Sequence, residues 1–333
     1  MFKKTVTLLF CLIMCGCAAR EQTAEFFAMD TYMQIRYHSD KDLSDKLEDR
    51  VRQIEREISV TDTGSAVYKL NESGRAVFSH EGSALVDDAI GLCAKTEGAM
   101  DISVYPIVRE WGFTTGEYHI PDDDVIARLL ERTDYRLIKN DGDIVTVPDG
   151  MMIDLGCIGK GYTGDVLAEM LREEGVRSGI LDLGGNIQTI GKKPDGSMWR
   201  VGIRSPLVTS GYDSLGVLMS SDEAVITSGG YERFFEENGK VYWHIIDPST
   251  GYPAKSGIIS ATVIGGSGEV CDALSTALFV MGEERAADFW RDDRSFDMIL
   301  VTDDGRVVIT PSVKDRFTLN DGEYLLQVID DEN

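Results

Sequence analysis

Positive charge is in short supply: the 333 residues hold 33 Lys and Arg against 57 Asp and Glu, a formal net charge of −24. Such a surface repels a phosphate backbone, which excludes nucleic acid as a partner. Cysteine is scarce past residue 17, where only Cys93, Cys157 and Cys271 remain. Three thiols cannot all pair internally, and no Cys-x-x-Cys or Cys/His spacing marks a zinc site. No apolar run is long enough for a permanent membrane-spanning helix. A GxSxG elbow and an HExxH helix are absent, and no GxGxxG is read as opening a helix, so serine-hydrolase, zincin and Rossmann readings have no support.

What remains suffices for a full core, since 43% of the residues are hydrophobic. Residues 1–16 place Lys3 and Lys4 before the apolar stretch 5–14 and end in Cys15 and Gly16, the layout of a secretory signal peptide. The junction resembles a bacterial lipobox. Cys17 is the expected lipidated N-terminus, with Cys15 the weaker alternative, and the expected location is extracytoplasmic, lipid-anchored to the bacterial membrane. A short tether over 17–24 and one domain over 25–330 would follow.

Apolar spacing predicts helices over 40–58, 84–97, 122–132, 162–174 and 272–291. Strands are predicted near 32–37, 151–155, 180–183, 199–203, 225–227, 241–246 and 259–264. Residues 61–71 read as a polar loop. Asp154-Leu155-Gly156 and Asp182-Leu183-Gly184 both close predicted strands and hint at an internal duplication. The fold class is therefore α+β, mixed sheets with covering helices.

Four segments concentrate chemistry. Asp154 to Asp165 reads as a strand, a glycine loop bearing Lys160 and a helix start, where backbone N–H groups can hold phosphate; a plain tight turn is the alternative. Asp272, Ser275 and Thr276 share one helical face, a hard-oxygen set suited to Mg2+, unless Asp272 merely caps the helix. His244 ends a strand beside a Pro/Gly turn, with Asp247 near enough in sequence to orient it as a general base. Asp101, Trp111 and Phe113 could serve a ligand ring or fill the core.

Taken in order, the motifs resemble the ApbE family, the FAD:protein FMN transferases. The matching strings are 28–31, 59–71, 98–101 with 111–113, 153–165, 183–185, 227–229, 244–251 and 272–276. Departures are Asp30 for a common Gly, Asn186 for a common Asp, and Val60-Thr61 where an aromatic often follows the Ser. The resemblance implies transfer of FMN from FAD to a Thr or Ser hydroxyl of an exported protein, with AMP released. Acceptors would be FMN-binding domains such as subunits of the Rnf complex or the sodium-pumping NADH:quinone reductase. It implies Mg2+ held by Asp272, Thr276, Ser275 and the main chain at Thr163. Flavin and adenine contacts would fall on Met29, Ala99, Met100, Asp101, Lys160, Val166 and Ile246, with His244 as base. An FAD pyrophosphatase and a non-catalytic solute-binding lipoprotein are the rival readings.

Overall fold

The structure, a computed structural model, describes residues 19–206 and 214–330. The expected signal peptide, with Cys15 and Cys17, lies outside the described residues. Alternation builds the first hairpin: Ala24, Phe26 and Ala28 of Arg20–Ala28 and Met33, Ile35 and Tyr37 of Thr31–Ser39 are buried between more exposed neighbours. Pairing starts at Arg20 against Ser39, so most of the predicted tether is strand. Met29 and Asp30 make the turn at φ 50° and 57°, the left-handed pair that matches the twist of a hairpin.

This hairpin opens a nine-stranded sheet. Its order is Arg20–Ala28, Thr31–Ser39, Gly179–Leu183, Asn186–Ile190, Ala224–Gly229, Ile258–Gly265, Phe296–Thr302, Arg306–Ile309 and Leu325–Val328. Neighbours are antiparallel except the last pair, which is parallel. The helices Gly156–Glu173 and Gly268–Met281 pack on each other and on its central strands. The α+β expectation holds, with three smaller sheets around this frame.

Several boundaries differ from the sequence reading, each for a local reason. Residues 61–71 are not all loop: Ala66–Ser73 is a helix, capped by the Ser65 hydroxyl accepting from the Tyr68 N–H at 2.9 Å and stopped by left-handed Gly74. The predicted strand 151–155 joins no sheet. Asn71 stands in for a neighbouring strand, donating Nδ2 to the Ile153 carbonyl at 2.9 Å and accepting the Ile153 N–H at 2.8 Å. The two Asp-Leu-Gly strings therefore serve different ends, one entering a helix and the other a hairpin turn at Gly184-Gly185.

The predicted glycine loop is also absent, because Gly156–Glu173 is helical from its first glycine. Gly159 to Gly164 does spell GxGxxG, a pattern the sequence reading passed over, but inside that helix rather than at a turn. Near the C-terminus one predicted helix is two, Gly268–Met281 and Glu283–Asp292, broken at Gly282 with φ 81°. The strand predicted to run through Ile246 stops at Trp243, leaving Ile246 in a lone bridge to Pro253.

Candidate active site

The start of the last long helix decides the role of Asp272. Ser267 is the N-cap, accepting from the Val270 N–H at 3.3 Å, and Asp165 accepts the Gly268 and Glu269 N–H groups at 2.7 and 3.0 Å. Asp272 is thus not a cap. Its Oδ2 instead accepts the Gly161 N–H of the neighbouring helix at 2.8 Å. The two backbones also touch directly: a β-carbon on Gly161 would overlap the Gly268 carbonyl oxygen, and one on Gly268 would lie 2.6 Å from the Gly161 carbonyl oxygen. Here glycine at 161 and 268 permits backbone contact. Gly161→Ala is expected to cost about 1–3 kcal/mol, the usual penalty of overpacking, measured as a lower urea midpoint.

Hydroxyls gather on the same helix as Asp272. Ser275 Oγ donates to the Asp272 carbonyl at 2.8 Å, and Ser228 Oγ lies 2.8 Å from Ser275 Oγ and 3.2 Å from Thr276 Oγ1. Burial pushes the Asp272 carboxyl above its ordinary range, against the pull of the Lys160 charge and the Gly161 N–H. No salt bridge neutralises it among the described residues. The buried Asn186 side chain faces the same carboxyl group and helps to pull its pKa down.

A buried carboxylate without a salt-bridged cation among the described residues, on a helix that also carries the Ser275 and Thr276 hydroxyls, suits a small hard cation better than an apolar ligand. Among the described residues no group of three or more His, Cys, Asp or Glu could hold a metal. The set therefore fits an ion that relies on hydroxyl, carbonyl, water and phosphate oxygens, as Mg2+ does. Thr163 is fully buried, and its hydroxyl donates to the Gly159 carbonyl at 2.7 Å and lies 3.7 Å from the Met29 sulfur.

His244 follows the strand Lys240–Trp243, and its own N–H donates to the Arg233 carbonyl at 3.0 Å. Its Nδ1 lies 3.2 Å from the same carbonyl oxygen. A carbonyl can only accept, so Nδ1 carries the proton and Nε2 keeps its lone pair. Burial lowers the ring pKa to about 4; the Arg233 and Lys160 charges reinforce this, and the Arg233 carbonyl opposes it. The expected partner Asp247 is engaged elsewhere, accepting from the Ser249 N–H and hydroxyl at 2.8 and 2.7 Å.

Comparison with known proteins places this geometry. The ApbE family profile matches residues 29–300. A Treponema pallidum protein named FAD:protein FMN transferase is 31% identical, covering 95% of this chain and 96% of its own length. The chain belongs to the ApbE family. A second relative of that name, from Klebsiella pneumoniae, is 30% identical over 88% of this chain and 92% of its own. The ApbE protein of Thermotoga maritima superposes with a TM-score of 0.83 at 30% identity, covering 89% of this chain and 99% of its own. The flavin transferase ApbE from Vibrio cholerae gives 0.79 at 28%, covering 90% and 99%.

The other expected contact residues do not all gather in one place. Met29, Ala99, Met100 and Val166 belong to one apolar cluster. Ile246 lies instead in an aromatic nest with Trp111 and Phe113, where both rings are core. Asp101 is occupied by its own turn: Oδ1 accepts from the Ser103 N–H and hydroxyl at 2.8 and 2.6 Å, and Oδ2 from the Tyr135 N–H at 3.2 Å. Lys160 is half-buried and its charge acts on Asp154, Asp272 and His244 together. Sequence reasoning missed Ser228 and Arg233 as site residues. The Thr227-Ser228-Gly229 string was the available signal for the first; nothing in the sequence announces a main-chain carbonyl as the partner of His244.

Proposed function

We propose that this chain transfers FMN from FAD to a Thr or Ser hydroxyl of a protein acceptor, forming a phosphoester and releasing AMP, with Mg2+ required. The observation that carries the reading is the buried Asp272 carboxyl group, without a salt bridge among the described residues, on the helix that also carries Ser275 and Thr276, both within reach of the Ser228 hydroxyl. The names of the relatives supply the substrate. Asp272, Ser275, Thr276 and the Thr163 main chain would hold the ion. When bound, Mg2+ supplies neutralisation of the charge spread over the pyrophosphate.

The protein's own groups do the rest. Lys160 draws the pyrophosphate toward the cluster by charge. The acceptor oxygen attacks the FMN-side phosphorus as the bond from that phosphorus to the bridging oxygen breaks, and the bridging oxygen leaves with AMP. His244 Nε2 takes the hydroxyl proton in the same step. Met29, Ala99, Met100 and Val166 offer an apolar wall for a flat ring. The leader supports a mature protein tethered outside the cytoplasm through a lipid on Cys17, where exported FMN-binding domains would be its acceptors.

The test is a mixture of leaderless protein, FAD, MgCl2 and an exported FMN-binding domain, with the acceptor weighed by intact mass spectrometry. A gain equal to one FMN less water, with AMP in equal amount, is the expected result. FMN and AMP with an unchanged acceptor would replace transfer by hydrolysis.

A further inference from the structure

The two-stranded ribbon Phe234–Glu237 and Lys240–Trp243 stands outside the main sheet and runs directly into His244. Its register separates two faces. Phe235 stands opposite Tyr242, while Phe234 opposite Trp243 and Glu236 opposite Val241 share the other face.

The first face is filled. Phe235 and Tyr242 stack at 5.2 Å, Tyr118 stacks on Phe235 at 5.3 Å, and Trp111 lies 5.5 Å from Tyr242. The same nest holds His244, whose ring meets Phe113 edge-on at 6.3 Å. The second face is open at Phe234 and Val241, each 48% exposed, while Trp243 packs edge-on against Phe279 at 5.8 Å. Among the described residues neither outer edge of the ribbon pairs with another strand. Open backbone and apolar side chains on one small ribbon are costly to leave in water and are a ready template for a partner strand.

We infer that this open face and edge is the docking surface for the acceptor protein. The inference rests on the reading of His244 as base. Whatever delivers a hydroxyl to that ring must arrive beside the ribbon, and a segment laid along it is carried to the ring by the strand itself. Charge states the chemistry of that segment: the ribbon and its entry carry Glu232, Glu236 and Glu237 against Arg233 and Lys240, on a protein of net charge −24. The partner segment is therefore extended, apolar at alternate positions and basic at its flanks.

The test compares wild type with the double variant Phe234→Asp, Val241→Asp, and uses the FMN-binding domain that wild type labels in the mass assay. The expected result is a rise of about tenfold or more in KM for that domain, as loss of an aromatic anchor produces. The turnover number and the FAD affinity, read by flavin fluorescence, stay within about twofold of wild type, as they should when only docking is touched. A short synthetic peptide carrying the hydroxyl but lacking the flanking segment is used equally by both proteins, and Phe234→Leu keeps the wild-type KM. An unchanged KM, an equal loss on the peptide, or a loss of FAD affinity would overturn the docking assignment. A wild-type protein that adds no FMN to any acceptor would instead remove the reading on which it rests, and the assignment with it.

Discussion

Asp272→Asn is expected to lower transfer roughly a thousandfold or more, in line with the several kcal/mol of charge stabilisation that a bound cation supplies, while folding at least as stably as wild type without Mg2+. The two effects have one cause. Asp272 is 5% exposed, burial works against its charge, and no salt bridge among the described residues compensates it. Asparagine keeps an oxygen to accept the Gly161 N–H, now at 2.8 Å from Oδ2, and drops the buried charge. Calorimetric titration with MgCl2 gives the readout independent of turnover: wild type binds, and the Asn variant shows no heat. Mg2+ should likewise raise the wild-type melting temperature and leave that of the variant unmoved. A variant that binds Mg2+ as wild type does would discard the metal assignment.

His244→Ala is expected to cost roughly a hundred- to ten-thousandfold in turnover, the ordinary worth of a general base, with FAD affinity retained. The pH profile gives the second check. With its pKa lowered to about 4, the ring is neutral at ordinary pH. Wild-type transfer should therefore be flat above that region and fall as pH drops through about 4. Stability carries the matching sign. Because the folded pKa lies below the unfolded value, the unfolded chain binds more protons between the two. The stabilisation is complete above the unfolded value of roughly 6.5 and is lost as pH falls from there toward about 4. The Ala variant should lack that share of acid sensitivity, read as a shallower loss of melting temperature over the same window. Unchanged turnover in the variant would remove His244 as the base.

Local patterns were legible wherever a short-range rule sets the structure. The strand predicted at 32–37 lies within Thr31–Ser39, and the helical spacing of Leu47, Val51, Ile54 and Ile58 reports a face that must meet the core, whereas the strand Arg20–Ala28 was read in part as tether. Long-range partners were not legible. Asn71 holds Ile153 across 82 residues, so a strand-like sequence carries no strand. The glycines at 156, 159 and 161 resemble a loop because glycine favours loops. Gly161 sits within a helix because another helix must touch it. Asp272 looked like a cap until Ser267 proved to start the helix four residues earlier than the sequence reading. His244 was found from its position at a strand end, but its hydrogen-bond partner is a carbonyl of the opposite strand rather than nearby Asp247.

The bare crossing of the helices Gly156–Glu173 and Gly268–Met281 also governs what can be redesigned. Gly161 and Gly268 leave no rotamer between the two backbones, so that joint has no adjustable filler. Swaps of similar volume in the sheet core can be absorbed by neighbouring side chains, whereas any bulk added at the joint displaces the Asp272 oxygen directly. Directed evolution for new acceptors would accordingly find room on the outer ribbon and almost none at this pivot.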